Sequence, residues 1–148
     1  KSAMLEMVHL CTENLPIEKP RYLMGVGKPA DLVRTIGMGV DMFDCVIPTR
    51  NGRNGHIFTE DGIINIKNGM YKNDFSLIDK KSDSPFGLQF SKAYVRHLFN
   101  INEILGVRIS SVLNIAFYMK LMKTIRSKIE CGEFLKWSKL FLEKWDDD

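Results

Sequence analysis

The chain is 148 residues long, enough to bury a core in one domain or in part of one. Its formal net charge of +3 and 45% hydrophobic content permit a nucleic-acid partner without demanding one, and exclude a disordered or low-complexity chain. The three cysteines, Cys11, Cys45 and Cys131, are too far apart for metal-ligand spacing or a disulfide framework; they point to free thiols in a reducing compartment.

In chain order, Met4–Cys11 reads as a short helix from its apolar spacing, and Leu15–Pro20, with two prolines, as a connection. Tyr22–Val26 is short, apolar and ended by Gly27, which predicts a buried strand. Lys28-Pro29 opens a helix running to about Met38, with Gly39 as its stop. Val40–Ile47 is the next strand, so this part predicts a βαβ unit with parallel strands and an α/β fold class. Ile57–Thr59 and Ile63–Lys67 flank Glu60-Asp61-Gly62 as a β-hairpin. Lys72–Gly87 is polar and aperiodic. Three helices follow: Gln89–Leu105 ending at Gly106, Ile109–Cys131 ending at Gly132, and Glu133–Trp145 with an aromatic stripe. Asp146-Asp147-Asp148 is a solvated acidic end, and the eight methionines are core filler. No signal peptide and no apolar run of about 18 residues stands out.

The chemistry concentrates at Val40–Gly55, VDMFDCVIPTRNGRNG. Asp44 interrupts an apolar run just before a Gly- and Arg-rich loop. It reads either as a nucleophile or base beside an anion-binding loop, or as a helix-capping acid before a solvated turn. Asp41 reads as a structural acid at the strand start. In the loop Thr49-Arg50-Asn51-Gly52-Arg53, the guanidinium groups suit phosphates or splayed bases and Gly52 permits close backbone approach; the alternative is a solvated basic turn. Gly25-Val26-Gly27-Lys28-Pro29-Ala30-Asp31 resembles a phosphate loop only weakly, lacking both the Walker spacing and the Rossmann glycine triplet. His9, His56 and His97 are not spaced as metal ligands, and His97 reads as a partly buried structural residue.

PRYLMGVG (Pro20–Gly27), VDMFDCVIPTRNGRNG (Val40–Gly55), INIKN (Ile64–Asn68), SKAYVRHL (Ser91–Leu98), EILG (Glu103–Gly106) and NIAFYMKLM (Asn114–Met122) resemble, in order and over nearly the whole chain, the bacterial tRNA-guanine transglycosylases. The resemblance implies the exchange of a wobble guanine in tRNA for a queuine precursor, a step of queuosine modification, through a covalent enzyme–ribose intermediate. It implies the C-terminal portion of a (β/α)8 TIM barrel with a small inserted subdomain. A complete barrel needs roughly 200 residues or more, and a chain starting at Lys1 fits a piece of a longer protein.

By this resemblance, residues 1–55 carry the last βα units of the barrel with the nucleophile and RNA loop. Residues 56–90 form the inserted hairpin and a degenerate zinc subdomain, and 91–148 the C-terminal helices. Asp44, between Phe43 and Cys45, matches the nucleophile. Met24 lines the base pocket, and Gly25–Asp31 and Thr49–Arg53 touch tRNA. The family's zinc ligands correspond to Ser82, Ser84, Gly87 and Leu113, so zinc is expected to be lost and no cofactor retained. The loss is offset, for example by packing of Pro85, Phe86, Leu88, Phe90 and Leu113 against one another, or the subdomain is loose. The implied partners are a tRNA anticodon loop, the queuine-precursor base, the missing N-terminal barrel part or a homologous subunit, and a second copy, since family members homodimerise. A cytoplasmic location without membrane attachment is implied. The segment alone is expected to be inactive. A non-catalytic RNA-binding or dimerisation module, and a decayed copy, remain open as alternatives.

Overall fold

The computed structural model describes residues 2–145; the acidic end Asp146–Asp148 lies outside them. The architecture is mixed and helix-rich. It divides into two compact units, one of residues up to Val46 together with those from Ile125 onward, the other Ile47–Thr124. The last helix therefore belongs with the first residues of the chain, a different grouping from the segments 1–55, 56–90 and 91–148.

The first unit contains α1 (Ser2–Asn14), β1 (Tyr22–Leu23), α2 (Pro29–Gly37), β2 (Met42–Phe43) and α7 (Phe134–Trp145). β1 and β2 are parallel, with Tyr22 opposite Met42 and Leu23 opposite Phe43; the expected βαβ unit is present. Its strands are shorter than Tyr22–Val26 and Val40–Ile47. Gly25 turns away with φ +72°, and beyond Phe43 the chain passes into a helix at Ile47. The strand starts are pinned by Arg21, whose carbonyl accepts the Asp41 and Met42 amides at 2.9 and 3.1 Å. Its own amide donates to Asp41 Oδ2 at 2.8 Å, so Asp41 holds a strand start. α2 begins at Pro29, whose fixed φ suits a first turn, and buries Ala30, Leu32 and Val33. α7 stacks Phe134, Trp137, Phe141 and Trp145 along one side at successive centroid spacings of 6.2, 5.0 and 5.7 Å. Phe134 lies where a Cβ on Gly37 would be 3.3 Å from its ring. Between α1 and β1 an apolar cavity of about 250 Å³ remains, lined by Met7, Val8, Cys11, Leu15 and Leu23 among others.

The second unit opens with α3 (Ile47–Asn54), followed by the antiparallel hairpin β3 (His56–Thr59) and β4 (Gly62–Asn65). Thr59 Oγ1 donates to the Gly62 carbonyl and accepts the Asp61 amide at 2.8 and 3.2 Å, closing the hairpin turn. A 3₁₀ turn at Gly69–Tyr71 and α4 (Pro85–Gln89) precede α5 (Lys92–Asn100) and α6 (Ile104–Glu130). The core joins Ile57, Ile66, Ile78, Val95, Leu98, Ile109 and Leu113.

Three sequence-based expectations fail at this level. Gln89–Leu105 is not one helix: α5 ends at Asn100 and Asn102 takes φ 56°, which lets the Glu103 amide reach the Leu98 carbonyl at 2.8 Å. Gly106 consequently stops nothing. It sits in the first turn of α6, where a Cβ would approach Leu98 Cβ to 3.0 Å. Second, α6 does hold an 18-residue window with mean hydropathy 1.4, long and apolar enough to cross a membrane. A core helix meets the same criteria, and α6 buries Ile109, Leu113, Tyr118, Leu121 and Ile125. Third, the methionines are not core filler: Met7, Met24, Met42, Met70 and Met119 are all more than half exposed.

Candidate active site

Asp44 follows directly on β2, and the parallel register places β1 beside it. Its Oδ1 accepts two hydrogen bonds, from the Tyr22 hydroxyl at 2.7 Å and from the Gly25 amide at 3.1 Å. The positive φ of Gly25 is a conformation that a side chain disfavours and glycine adopts freely. The Tyr22 hydroxyl, then the Gly25 amide, hold the Asp44 carboxyl below the usual carboxylate range. The same bond, with the adjacent negative charge, pushes the Tyr22 phenol up. Asp44 is exposed. The arrangement is an ionised carboxylate, reachable from solvent and held in one orientation by two donors on one oxygen. It can act as a nucleophile or stabilise a developing positive charge.

Within the segment Gly25–Asp31, the Gly25 amide is bonded to Asp44. Met24 is 73% exposed. Val26 is half-buried and Gly27 buried. Lys28 is the extended residue before α2 and exposed, and Pro29 and Ala30 are buried. Asp31 pairs with Arg34 at 3.6 Å. The segment is thus a βα turn leading into a helix, with Met24, Gly25 and Lys28 its exposed members.

Thr49–Arg53 is not a loop. These residues lie within α3, and Arg50 and Arg53, three apart on it, are both exposed and share one side. Thr49 and Asn51 are half-buried. Gly52 is buried, and a Cβ on it would lie 2.8 Å from Ser111 Cα and N and 2.7 Å from its Oγ. Its missing side chain serves helix packing rather than approach to a ligand. The helix is further held by Asn114, fully buried, whose Nδ2 donates to the carbonyls of Pro48 and His56, each at 2.9 Å. Asn114 Oδ1 accepts the Phe58 amide at 2.8 Å. His97, expected to be partly buried, is exposed, and His9 pairs with Glu13 at 3.3 Å.

The four positions matching zinc ligands do not fit that ion. Ser82 Oγ accepts the Ser84 amide at 3.1 Å and Ser84 Oγ the Phe86 amide at 3.3 Å, so both hydroxyls serve turns. Gly87 sits where a Cβ would be 2.6 Å from the Asp79 carbonyl, and Leu113 is apolar core. Zinc takes thiolate, imidazole or carboxylate ligands, and none is present at these positions. Phe86 and Phe90 do pack on the cluster containing Leu113, but Pro85 and Leu88 are exposed. A second tie comes from Lys120: its Nζ reaches Glu60 at 2.6 Å, Asp83 at 3.2 Å and the Lys81 carbonyl at 2.5 Å. Lys81 pairs in turn with Asp61 at 2.9 Å. Tyr22, Asn114 and Lys120 escape sequence reasoning, because their partners are distant in the chain.

The family described as queuine tRNA-ribosyltransferase matches residues 1–147. The queuine tRNA-ribosyltransferase of Francisella tularensis subsp. mediasiatica (strain FSC147) is 47% identical over 145 residues, which cover 98% of this chain and 40% of that relative. The proteins of the same name from F. tularensis subsp. novicida (strain U112) and subsp. tularensis (strain WY96-3418) are 46% identical, with the same 98% and 40% coverage. The chain therefore spans about 40% of the length of the curated relatives it matches. On the match along its whole described length, the chain belongs to the queuine tRNA-ribosyltransferase family.

Proposed function

We propose that this chain is the segment of a tRNA-guanine transglycosylase that carries the nucleophile. The observation that carries the reading is Asp44, an exposed carboxylate fixed by Tyr22 and Gly25 and held ionised by them. In this reading the β1–α2–β2 unit is part of a (β/α)8 barrel, and Asp44 stands at the strand ends where such barrels place their chemistry. Asp44 attacks C1′ of an extruded wobble nucleotide. The C1′–N9 bond breaks, its electron pair leaves with guanine, and an ester joins Asp44 to the ribose. The departing guanine takes up a proton from solvent. The incoming queuine precursor attacks C1′ through its ring nitrogen, loses the proton of that nitrogen to solvent and releases the carboxylate, so one difficult displacement becomes two easier ones. Extrusion is required because a stacked base does not expose its sugar carbon to an enzyme side chain. Met24 borders the base, Lys28 and its neighbours meet the backbone, and Arg50 and Arg53 bind phosphates or stack on splayed bases. The remaining barrel, in the same polypeptide or a second one, completes the base pocket. The enzyme acts on cytoplasmic tRNA, as a homodimer.

Covalent trapping tests this. This chain, completed by the remaining part of the relatives' length, is incubated with tRNA and resolved by denaturing electrophoresis. A tRNA–protein band is expected with Asp44 and none with Asp44→Asn, which keeps the shape but not the anion, while tRNA binding persists. A band of undiminished yield in Asp44→Asn places the nucleophile elsewhere.

A further inference from the structure

α3 is a poor helix by sequence. In Ile47–Asn54, IPTRNGRN, Thr, two Asn and Gly are all weak helix formers, and Gly alone costs about 1 kcal/mol relative to Ala. Eight residues are too few for a helix to persist alone in water. Its position must come from what it packs against. Two independent devices supply that, and both lie on α6: the backbone of Ser111, against which Gly52 fits without a Cβ, and the side chain of Asn114.

Asn114 is unusually well matched to its place. It is 0% exposed. Phe58 N–H can only donate and the Pro48 and His56 carbonyls can only accept, so the orientation of the amide is fixed by its partners. Both donors and one acceptor position are used. An Asp of the same size loses both donors and sets a carboxylate against two carbonyls. Leu fills the volume but leaves three backbone groups unpaired. The amide ties the first turn of α3, through Pro48, to both ends of the β3 segment His56–Phe58. From that turn the helix runs on to Arg50 and Arg53, both exposed.

We propose that Asn114 is a positioning residue for RNA recognition: it fixes the α3 turn that aims Arg50 and Arg53. This role rests on the reading that those two arginines contact RNA. Asn114 touches no RNA itself.

The test is a double-mutant cycle read by the salt dependence of binding. This chain, completed by the remaining part of the relatives' length, and its variants are titrated with a synthetic RNA stem-loop carrying a guanosine in the loop, at several salt concentrations. Arg50→Ala and Arg53→Ala are each expected to flatten the log–log salt slope by about 0.7–0.9 for every phosphate that the arginine neutralises. Asn114→Ala is expected to flatten it by a similar amount without touching a charge. In the Asn114→Ala background the arginine substitutions are expected to add little further effect, the signature of residues acting through one another. A structural weakness alone leaves the arginine effects intact and additive, and that result overturns the proposal. Should Arg50→Ala and Arg53→Ala leave the original chain's slope unchanged, the RNA-contact reading itself falls, and the positioning role with it.

Asn114→Asp covers the case in which Asn114→Ala does not fold. A protonated Asp regains one donor and keeps one acceptor, so its RNA affinity should rise relative to the original chain as pH is lowered. A pH profile parallel to that of the original chain counts against the proposal. Amide exchange at Phe58 reports on the clamp without RNA: in either variant, protection should fall roughly tenfold or more. Unchanged protection overturns the clamp.

Discussion

At the scale of single residues, Tyr22 governs how Asp44 behaves. Its hydroxyl is the largest cause of the lowered Asp44 pKa, so Tyr22→Phe should move the Asp44 titration upward toward the ordinary carboxylate value while leaving it ionised at neutral pH. Carbon-13 NMR of the Asp44 side-chain carboxyl measures this directly, and an unmoved titration would refute the assignment of cause. The linkage has a definite sign. A depressed folded pKa stabilises the fold above the unfolded value and loses that contribution as pH falls through the folded one. Tyr22→Phe should therefore shrink the acid-side pH dependence of stability. Asp44 stands out in the sequence as an acid interrupting an apolar run, and Arg50 and Arg53 as a basic pair just after it. The residues alone leave a capping acid and a solvated turn open, and the roles proposed for them come from the family resemblance. Tyr22 does not stand out, since its bond to Asp44 spans 22 residues and depends on two strands lying side by side. Asn114 is hidden for the same reason: its partners lie up to 66 residues away.

At the scale of elements, the βαβ unit, the hairpin and the C-terminal helices follow from period and punctuation. The failures share a cause. α3 reads as a loop because its residues favour turns, and tertiary packing against α6 overrides that preference. The break between α5 and α6 escapes a reading of the pattern because it hinges on one asparagine at φ 56°. Gly52 tests the first case. Gly→Ala in a helix normally gains up to about 1 kcal/mol, but here the new Cβ would fall 2.8 Å from Ser111 backbone atoms. Overpacking of that kind costs roughly 1–3 kcal/mol, so Gly52→Ala should be destabilising by up to about 2 kcal/mol on balance. Urea denaturation compares it with Gly69→Ala, where nothing lies within 4 Å. A Gly52→Ala variant at least as stable as the original chain would show that α3 does not depend on the close approach.

At the scale of the whole molecule, the chain leaves much apolar surface uncovered. β1 and β2 pair over two residues and form a sheet of their own, although parallel sheets normally bury both faces. Ile17, Met24 and Met42 are more than half exposed, and an apolar cavity remains beside α1. With about 40% of its relatives' length, the chain is expected to associate or to unfold at low denaturant when alone. Sedimentation across a concentration series checks this; a monomer with a steep, cooperative unfolding transition at high denaturant would contradict it. The Lys120 cluster has its own consequence. Around the turn that holds Ser82 and Ser84, Glu60, Asp83 and the Lys81 carbonyl converge on the Lys120 ammonium. Glu60 foremost raises the Lys120 pKa, so the charge persists through neutral pH and is surrendered only in strong alkali. Such a clamp is indifferent to chelators and answers to ionic strength, because the distance over which charges feel one another contracts as salt is added.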